Sequence, residues 1–252
     1  MPSYSEIAQA LDQALHLTQP PVAVCLAQEL PAGVEPWVGD VPAGCRFWQE
    51  AGERVFATSA ADHQHCAIGQ YTHNLAMSPA SSTDLQDALK VFASLTYVRD
   101  QDVAAIPVLA SRPQYVIYGP LAEIPAGPDV VLLFVEADQT LILSEASQQV
   151  EGGLPPAMGR PACAIVPQAR NTGRSALSLG CCGARAYLDI LSSDVALYAI
   201  PGAALEAFAE RVTALAKANR ILAKFHQIRR SDVAAGKAPS IRESLAAMEA
   251  AG

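Results

Sequence analysis

Apolar positions change period along the chain, and the changes divide it into helices and strands. Near the start, Ile7, Leu11 and Leu15 recur at helical spacing behind Ser3 and Ser5, either of which suits an N-cap. "PVAVCLA" from Pro21, "YVIYG" from Tyr115 and "VVLLFVEA" from Val130 are short, β-branched-rich runs. They are too short for core helices and read as buried strands. "VALYAIP" from Val195, closed by Pro-Gly, reads the same way. Leu85, Leu89 and Phe92 predict a helix capped by Ser82. Ala203 to Ile228 predicts a long helix with Leu205, Phe208, Val212, Leu215 and Ala216 on one stripe. Proline-rich stretches at Leu30–Pro42 and Leu154–Pro161 are loops, and "AAGKAPS" is a turn before a last short helix. The pattern is that of an α/β or α+β chain.

The chain also echoes itself. "QELPAG" (28–33) returns as "AEIPAG" (122–127), and "CRFWQEA" (45–51) lines up with "TLILSEA" (140–146). "HCAIG" (65–69) lines up with "ACAIV" (162–166), and "DVAAIP" (102–107) with "DVALYAIP" (194–201). All four keep the same order at shifts of 92 to 97. This predicts two similar βα-type halves, 18–113 and 114–205, facing each other about a pseudo-twofold. An N-terminal helix (1–17) precedes them and a helical tail (206–252) follows, the whole forming one compact unit.

Composition narrows the class. The 252 residues are 51% hydrophobic and 17% charged, which is unlike a disordered chain. The formal charge of 17 − 25 = −8 argues against nucleic acid as a partner. No apolar run approaches the ~20 residues of a membrane span. The first residues lack a basic start followed by an apolar block, so they do not resemble a secretory signal. The expectation is a cytoplasmic protein without a membrane partner.

The candidate chemistry lies in Cys25, Cys45, Cys66, Cys163, Cys181 and Cys182. In a reducing compartment these are not structural disulfides, and no paired C-x-x-C knuckle predicts a local zinc site. Cys25, inside a strand, reads as core filling. Cys66 follows "ADHQH" and opens a helix-like segment. Cys181 sits between Gly180 and Cys182-Gly183, where glycines let the backbone approach a ligand closely. Cys45 and Cys163 follow loops and begin helix-like pieces. Folding that brings Cys45, Cys66, Cys163 and Cys181 together from both halves would create a ligand set for an iron–sulfur cluster or a tetrahedral metal. In the repeat alignment Cys163 is the partner of Cys66. Consecutive side chains diverge, so Cys182 stands outside this set.

"CRFWQEAG", "HCAIGQYTHNL", "GRPACAIVPQA" and "ALSLGCCGARAYLDI" resemble the uncharacterised bacterial and archaeal family called domain of unknown function 169, from about Pro21 to Pro201. The resemblance implies cysteines at Cys45, Cys66, Cys163 and Cys181, with the residue at Cys182 variable. It implies no reaction.

Other residues complete the expected site. Arg46 and Arg185, with Gly180 and Gly183, would compensate and approach a negatively charged cofactor. His65 could join the ligands, and His73, two helical turns beyond Cys66, could shuttle protons as a catalytic residue. His63 reads as a solvated loop histidine. Arg160, Arg170, Arg174 and Arg185 cluster in an acidic chain, as for neutralising such a centre or binding an anion. The expected cofactor is a four-iron four-sulfur cluster, with another transition metal or haem as alternatives. It would act as a Lewis acid on a small anionic substrate or exchange electrons with a redox partner. Two further readings stand beside this: a non-catalytic metal or haem carrier, and a thiol enzyme using Cys66 or Cys181. The apolar stripe of the long helix would cover the protein's own core or a second subunit in a homodimer.

Overall fold

The computed structural model describes residues 2–40, 44–238 and 240–250, apart from the side chains of Asp100 and Ala250. The last two residues of the Leu30–Pro42 loop, 41 and 42, and one proline of the tail turn (Pro239) lie outside the described residues. Seven strands form one sheet: β1 (Val22–Ala27), β2 (Phe56–Thr58), β3 (Tyr115–Pro120), β4 (Val130–Val135), β5 (Ala157–Met158), β6 (Ala176–Ser178) and β7 (Ala196–Pro201). Their order is β2-β3-β1-β4-β7-β6-β5, antiparallel throughout except for the β5–β6 edge.

Both faces of this sheet are covered, which explains why its strands are apolar runs without polar alternation. Along β4, Val130, Leu132 and Phe134 enter one core, whereas Val131, Leu133 and Val135 enter the other. Helices α1 (Tyr4–Leu15), α6 (Ala137–Val150) and the first half of α8 (Leu205–Ala234) close the second face. The first face carries the short helices α2 (Phe47–Glu50), α3 (Ala67–Thr72) and α7 (Ile165–Thr172). Beside them lie α4 (Pro79–Ser94) and α5 (Asp100–Val103), and α9 (Ile241–Ala250) packs on the far part of α8.

Local chemistry sets the helix ends. Ser3 caps α1 in a capping box: its hydroxyl accepts the Glu6 N–H at 3.2 Å and its own N–H donates to the Glu6 carboxylate at 2.7 Å. The cap of α4 is Ser78, not Ser82; Pro79 follows at the first helical position, and Ser82 lies one turn inside, bonded to the Ser78 carbonyl. The stripe Leu205, Phe208, Val212 and Ala216 covers the chain's own core. The Leu154–Pro161 loop contains the two-residue β5.

The segment echoes fit this topology unevenly. Residues 28–33 and 122–127 both follow strands, and 65–69 and 162–166 both lead into helices. Residues 102–107 end α5 and run into a loop, however, whereas 194–201 contain β7, so that pair does not correspond. Strand β3, which the sequence boundary gave to the second half, lies between β1 and β2.

Candidate cofactor site

Four loop-to-helix junctions meet on the first face. Cys45 sits in a 3₁₀ turn, Gly44–Arg46, that runs into α2, and Cys163 sits in a 3₁₀ turn, Ala162–Ala164, that runs into α7. The two turns pack against each other and both pack on α3. Cys66 is the N-cap of α3, its Sγ accepting the Gly69 N–H at 3.2 Å. Cys181 precedes a π-helical turn, Gly183–Tyr187, and its Sγ accepts the Ala184 N–H at 3.5 Å. The same i to i+3 bond therefore forms at two separate cysteines.

All four thiols, with Cys182, line one chamber of about 920 Å³. Its other wall is the apolar side of α4 (Leu85, Leu89 and Phe92) and the segment through α5 to Pro107. Cys25 is on the opposite face of the sheet, as its strand context predicts. Burial, helped by Asp129, pushes its thiol up to about 12. Among the described residues, no three His, Cys, Asp or Glu side chains crowd closely enough to hold a single metal ion.

Burial dominates the electrostatics of this wall. It raises the thiol of Cys163 well above its usual range, and charge on Cys66, Cys45 or Cys181 would raise it further. The Thr72 hydroxyl beside it acts in the opposite direction. Cys45 is raised by burial and by Cys66 and Cys181. Burial raises Cys66 too, opposed by the N–H groups of Gly44, Gly69 and Ile68. Without a ligand these three sulfurs are therefore protonated thiols at neutral pH. The mutual effects also show that the four sulfurs are electrostatic neighbours.

Behind the wall lies a buried polar layer that is incompletely bonded. The Thr58 hydroxyl donates to the Val116 carbonyl at 3.1 Å, so the His63 Nε2–H donates to Thr58 at 2.9 Å. That leaves His63 Nδ1 bare, and it has no partner. His73 Nδ1 donates to the Gly69 carbonyl at 3.1 Å, leaving Nε2 without a partner. Burial depresses both rings, His63 to about 3 with help from His73, and His73 to about 4. The Tyr118 hydroxyl, on β3, is fully buried and also has no partner. Burial raises its pKa, and Cys45, Cys163 and Cys66 add to the effect.

The cysteine phrases that build this wall fall within residues 10–211, over which the chain matches the sequence profile of DUF169, described as an uncharacterised ArCR family. The chain belongs to the DUF169 family. No curated protein and no solved structure matches it.

In this DUF169 chain the other predicted site residues are placed unequally. His65 is exposed and lines the chamber, as do Gly180 and Gly183. Gly180 has φ +87°, which permits the turn into Cys181, and a Cβ there would meet Leu191 Cδ1 at 2.8 Å. His73 is 2% exposed and does not line the chamber. His63 is 1% exposed and packs at a tilt against Phe47 and near Tyr118, contrary to the solvated loop expected. Its polar sequence neighbourhood gave no sign that the 3₁₀ turn Ala60–His63 would fold the ring inward.

Arg46 is half-buried and 3.7 Å from Glu50, away from the chamber lining. The guanidinium of Arg185 is committed to backbone carbonyls: it donates to Leu179 at 2.7 and 2.9 Å, to Val195 at 2.8 Å, and to Ser192. It clamps the Cys181 loop and does not present charge to the chamber. Arg170 is paired with Asp129 at 2.7 Å, and Arg174 lies by Glu151 at 3.8 Å. Of the four clustered arginines, Arg160 alone lines the chamber. It donates to the Tyr97 carbonyl at 2.8 Å and lies over the Tyr97 ring.

Sequence reasoning missed Tyr118 and Thr72. Tyr118 shares the face of Val116 by strand alternation, but a strand buried on both sides gives no pattern that says which face matters.

Proposed function

We propose that this chain holds a sulfur-ligated iron–sulfur cluster, a four-iron four-sulfur centre, on Cys45, Cys66, Cys163 and Cys181. The observation that carries this reading is the convergence of four thiols from four separate segments on one chamber wall, with Cys25 left on the opposite face. A single tetrahedral ion would require sulfurs within ~4 Å of one another, given metal–sulfur bonds of ~2.3 Å. A cluster binds each thiolate through its own iron and so suits a wall of more widely spaced sulfurs.

The strand order supports a chain of two related halves. From the central β1–β4 pair outward, each side places its last strand next (β3, β7) and the strand before that one beyond it (β2, β6), with the short β5 added at the far edge of one side. A 3₁₀-turn cysteine lies before β2 and another before β6, and an N–H-accepting cysteine follows each of those strands. We therefore pair Cys45 with Cys163 and Cys66 with Cys181 about a pseudo-twofold, in place of the Cys66–Cys163 pairing that the sequence echo suggests.

Bound there, the cluster would supply electron transfer or, through an iron with an open position, Lewis-acid activation. The protein's own groups prepare the site. The N–H groups of Gly44, Ile68 and Gly69 favour ionised sulfur at Cys66, and the Ala184 N–H donates to Cys181 Sγ. The apolar wall of α4 excludes water, which strengthens those interactions. Arg99 is engaged with Asp102, so Arg160 is the cation left to orient a small anionic substrate. Free thiols also suit a reducing compartment such as the cytoplasm.

The test is anaerobic reconstitution with iron and sulfide, followed by absorption and spin-resonance spectra. The reading predicts a brown protein whose chromophore survives Cys25→Ser and is lost in Cys66→Ser. A Soret band, or a colourless protein inactivated by one equivalent of alkylating agent, would replace it with the carrier or the thiol-enzyme reading.

A further inference from the structure

The Tyr118 hydroxyl is an anomaly for a core residue. Its side chain has no exposure, its ring packs beside Phe47, Phe56 and His63, and its oxygen has no hydrogen-bond partner. A buried donor left unsatisfied has given up its hydration for nothing, and most buried polar groups avoid it. A phenylalanine would fill the same space without that penalty. Tyr198 provides an internal control, on β7, facing the closed side of the sheet. Its hydroxyl donates within reach of the Leu143 carbonyl (3.1 Å) and the Ser175 hydroxyl (3.2 Å).

Sulfur lies in the same core as the unpartnered hydroxyl, but none stands within hydrogen-bonding reach of it, and Tyr118 sits behind the residues that line the chamber. Tyr118, Cys45 and Cys163 belong to one packed cluster, and Cys66 and Cys181 pack against it. We propose that Tyr118 is a positioning donor: its O–H waits for an acceptor that arrives with the cofactor, a cluster sulfide or a ligating thiolate. The inference rests on the iron–sulfur reading and adds a regulator of that site that is not a ligand. Thiols are poor acceptors, whereas thiolate and sulfide sulfur accept strongly. The hydroxyl is therefore stranded before loading and satisfied after it. A hydrogen bond to cluster sulfur stabilises the more electron-rich, reduced state and raises the reduction potential.

The experiment compares wild type, Tyr118→Phe and Tyr198→Phe, first without metal and then after anaerobic reconstitution. Without metal, Tyr118→Phe should melt at or above the wild-type temperature, and Tyr198→Phe below it. After reconstitution, Tyr118→Phe should show a more negative potential in a spectroelectrochemical titration, or a folded protein that no longer loads. Tyr198→Phe should keep the wild-type potential. A Tyr118→Phe protein with an unchanged potential, or one that melts lower without metal, overturns the donor role while leaving the cluster reading intact. A wild type that takes up no cluster overturns both.

Discussion

The two faces of the sheet are built from the same strands and differ in whether their polar groups are satisfied. On the closed face, under α1, α6 and α8, Gln139, Ser147, Ser175 and Tyr198 bond within the protein, whereas Arg174 Nε beside Glu151, and Arg229 Nε and Ser244 Oγ on α8 and α9, have no hydrogen-bond partner. Gln139 donates to the Leu15 and His16 carbonyls at 3.0 and 3.2 Å, and Tyr198 is held by Leu143 and Ser175. On the cysteine face, Tyr118 Oη, His63 Nδ1, His73 Nε2, Gln70 Oε1 and Trp48 Nε1 are all buried without partners. A core that evolved only for stability would not leave so many buried groups unpaired on one side. Both faces bury an extensive apolar core, and the cysteine face adds to its core a set of buried donors and acceptors without partners.

Acid should break the comparison most strongly. His63 and His73 carry folded-state values depressed to about 3 and about 4, against an unfolded value near 6.5. Below about pH 6.5 the unfolded chain binds more protons, so stability is full above that pH and falls as pH drops toward the folded values. Lowering the pH from 7 to 4.5 should cost on the order of 2–3 kcal/mol per ring in urea unfolding of metal-free protein. A flat profile across that window would mean that the cysteine face already accommodates charged imidazoles.

Phe208→Ala, fully buried on the closed face, should cost about 3–5 kcal/mol in the same assay. The loss should be equal before and after reconstitution, because the faces are separated by the sheet. A loss that depends on loading would show that they are coupled. Gly180→Ala should cost about 1–3 kcal/mol, since it combines a left-handed backbone with a clash against Leu191. It should also weaken iron uptake, measured by titration, by displacing Cys181. The smallest effect belongs to Tyr198→Phe, about 0.5–1.5 kcal/mol in metal-free protein. If Tyr118→Phe costs as much, the contrast between the faces fails.

Much of this was legible in the residues. The strands at Val22, Tyr115, Val130 and Ala196 announced themselves as apolar runs, because a strand covered on both faces must be apolar throughout. Cys45, Cys66, Cys163 and Cys181 were also separable from Cys25 by local context: a loop containing Gly, Pro or His before each and a helix-like piece after it, against a mid-strand position. What the chain could not disclose is which face each strand residue enters. Tyr118 and Tyr198 look alike in sequence, yet one is satisfied and the other stranded. The arginines misled for a related reason. Arg185 and Arg170 cluster with Arg160 along the chain, but backbone carbonyls and Asp129 take up their donors, and only tertiary contacts decide that. The echo at 102–107 and 194–201 failed because a common Asp-Val-Ala start and Ile-Pro end fit a helix end and a strand equally well.

The most direct measurement is iron and acid-labile sulfide analysis of anaerobically prepared wild type, Cys25→Ser and Cys163→Ser. The account predicts iron and sulfide in equal amounts in the first two proteins and neither in the third. Iron that persists in Cys163→Ser, or a wild type that holds no sulfide, would contradict it.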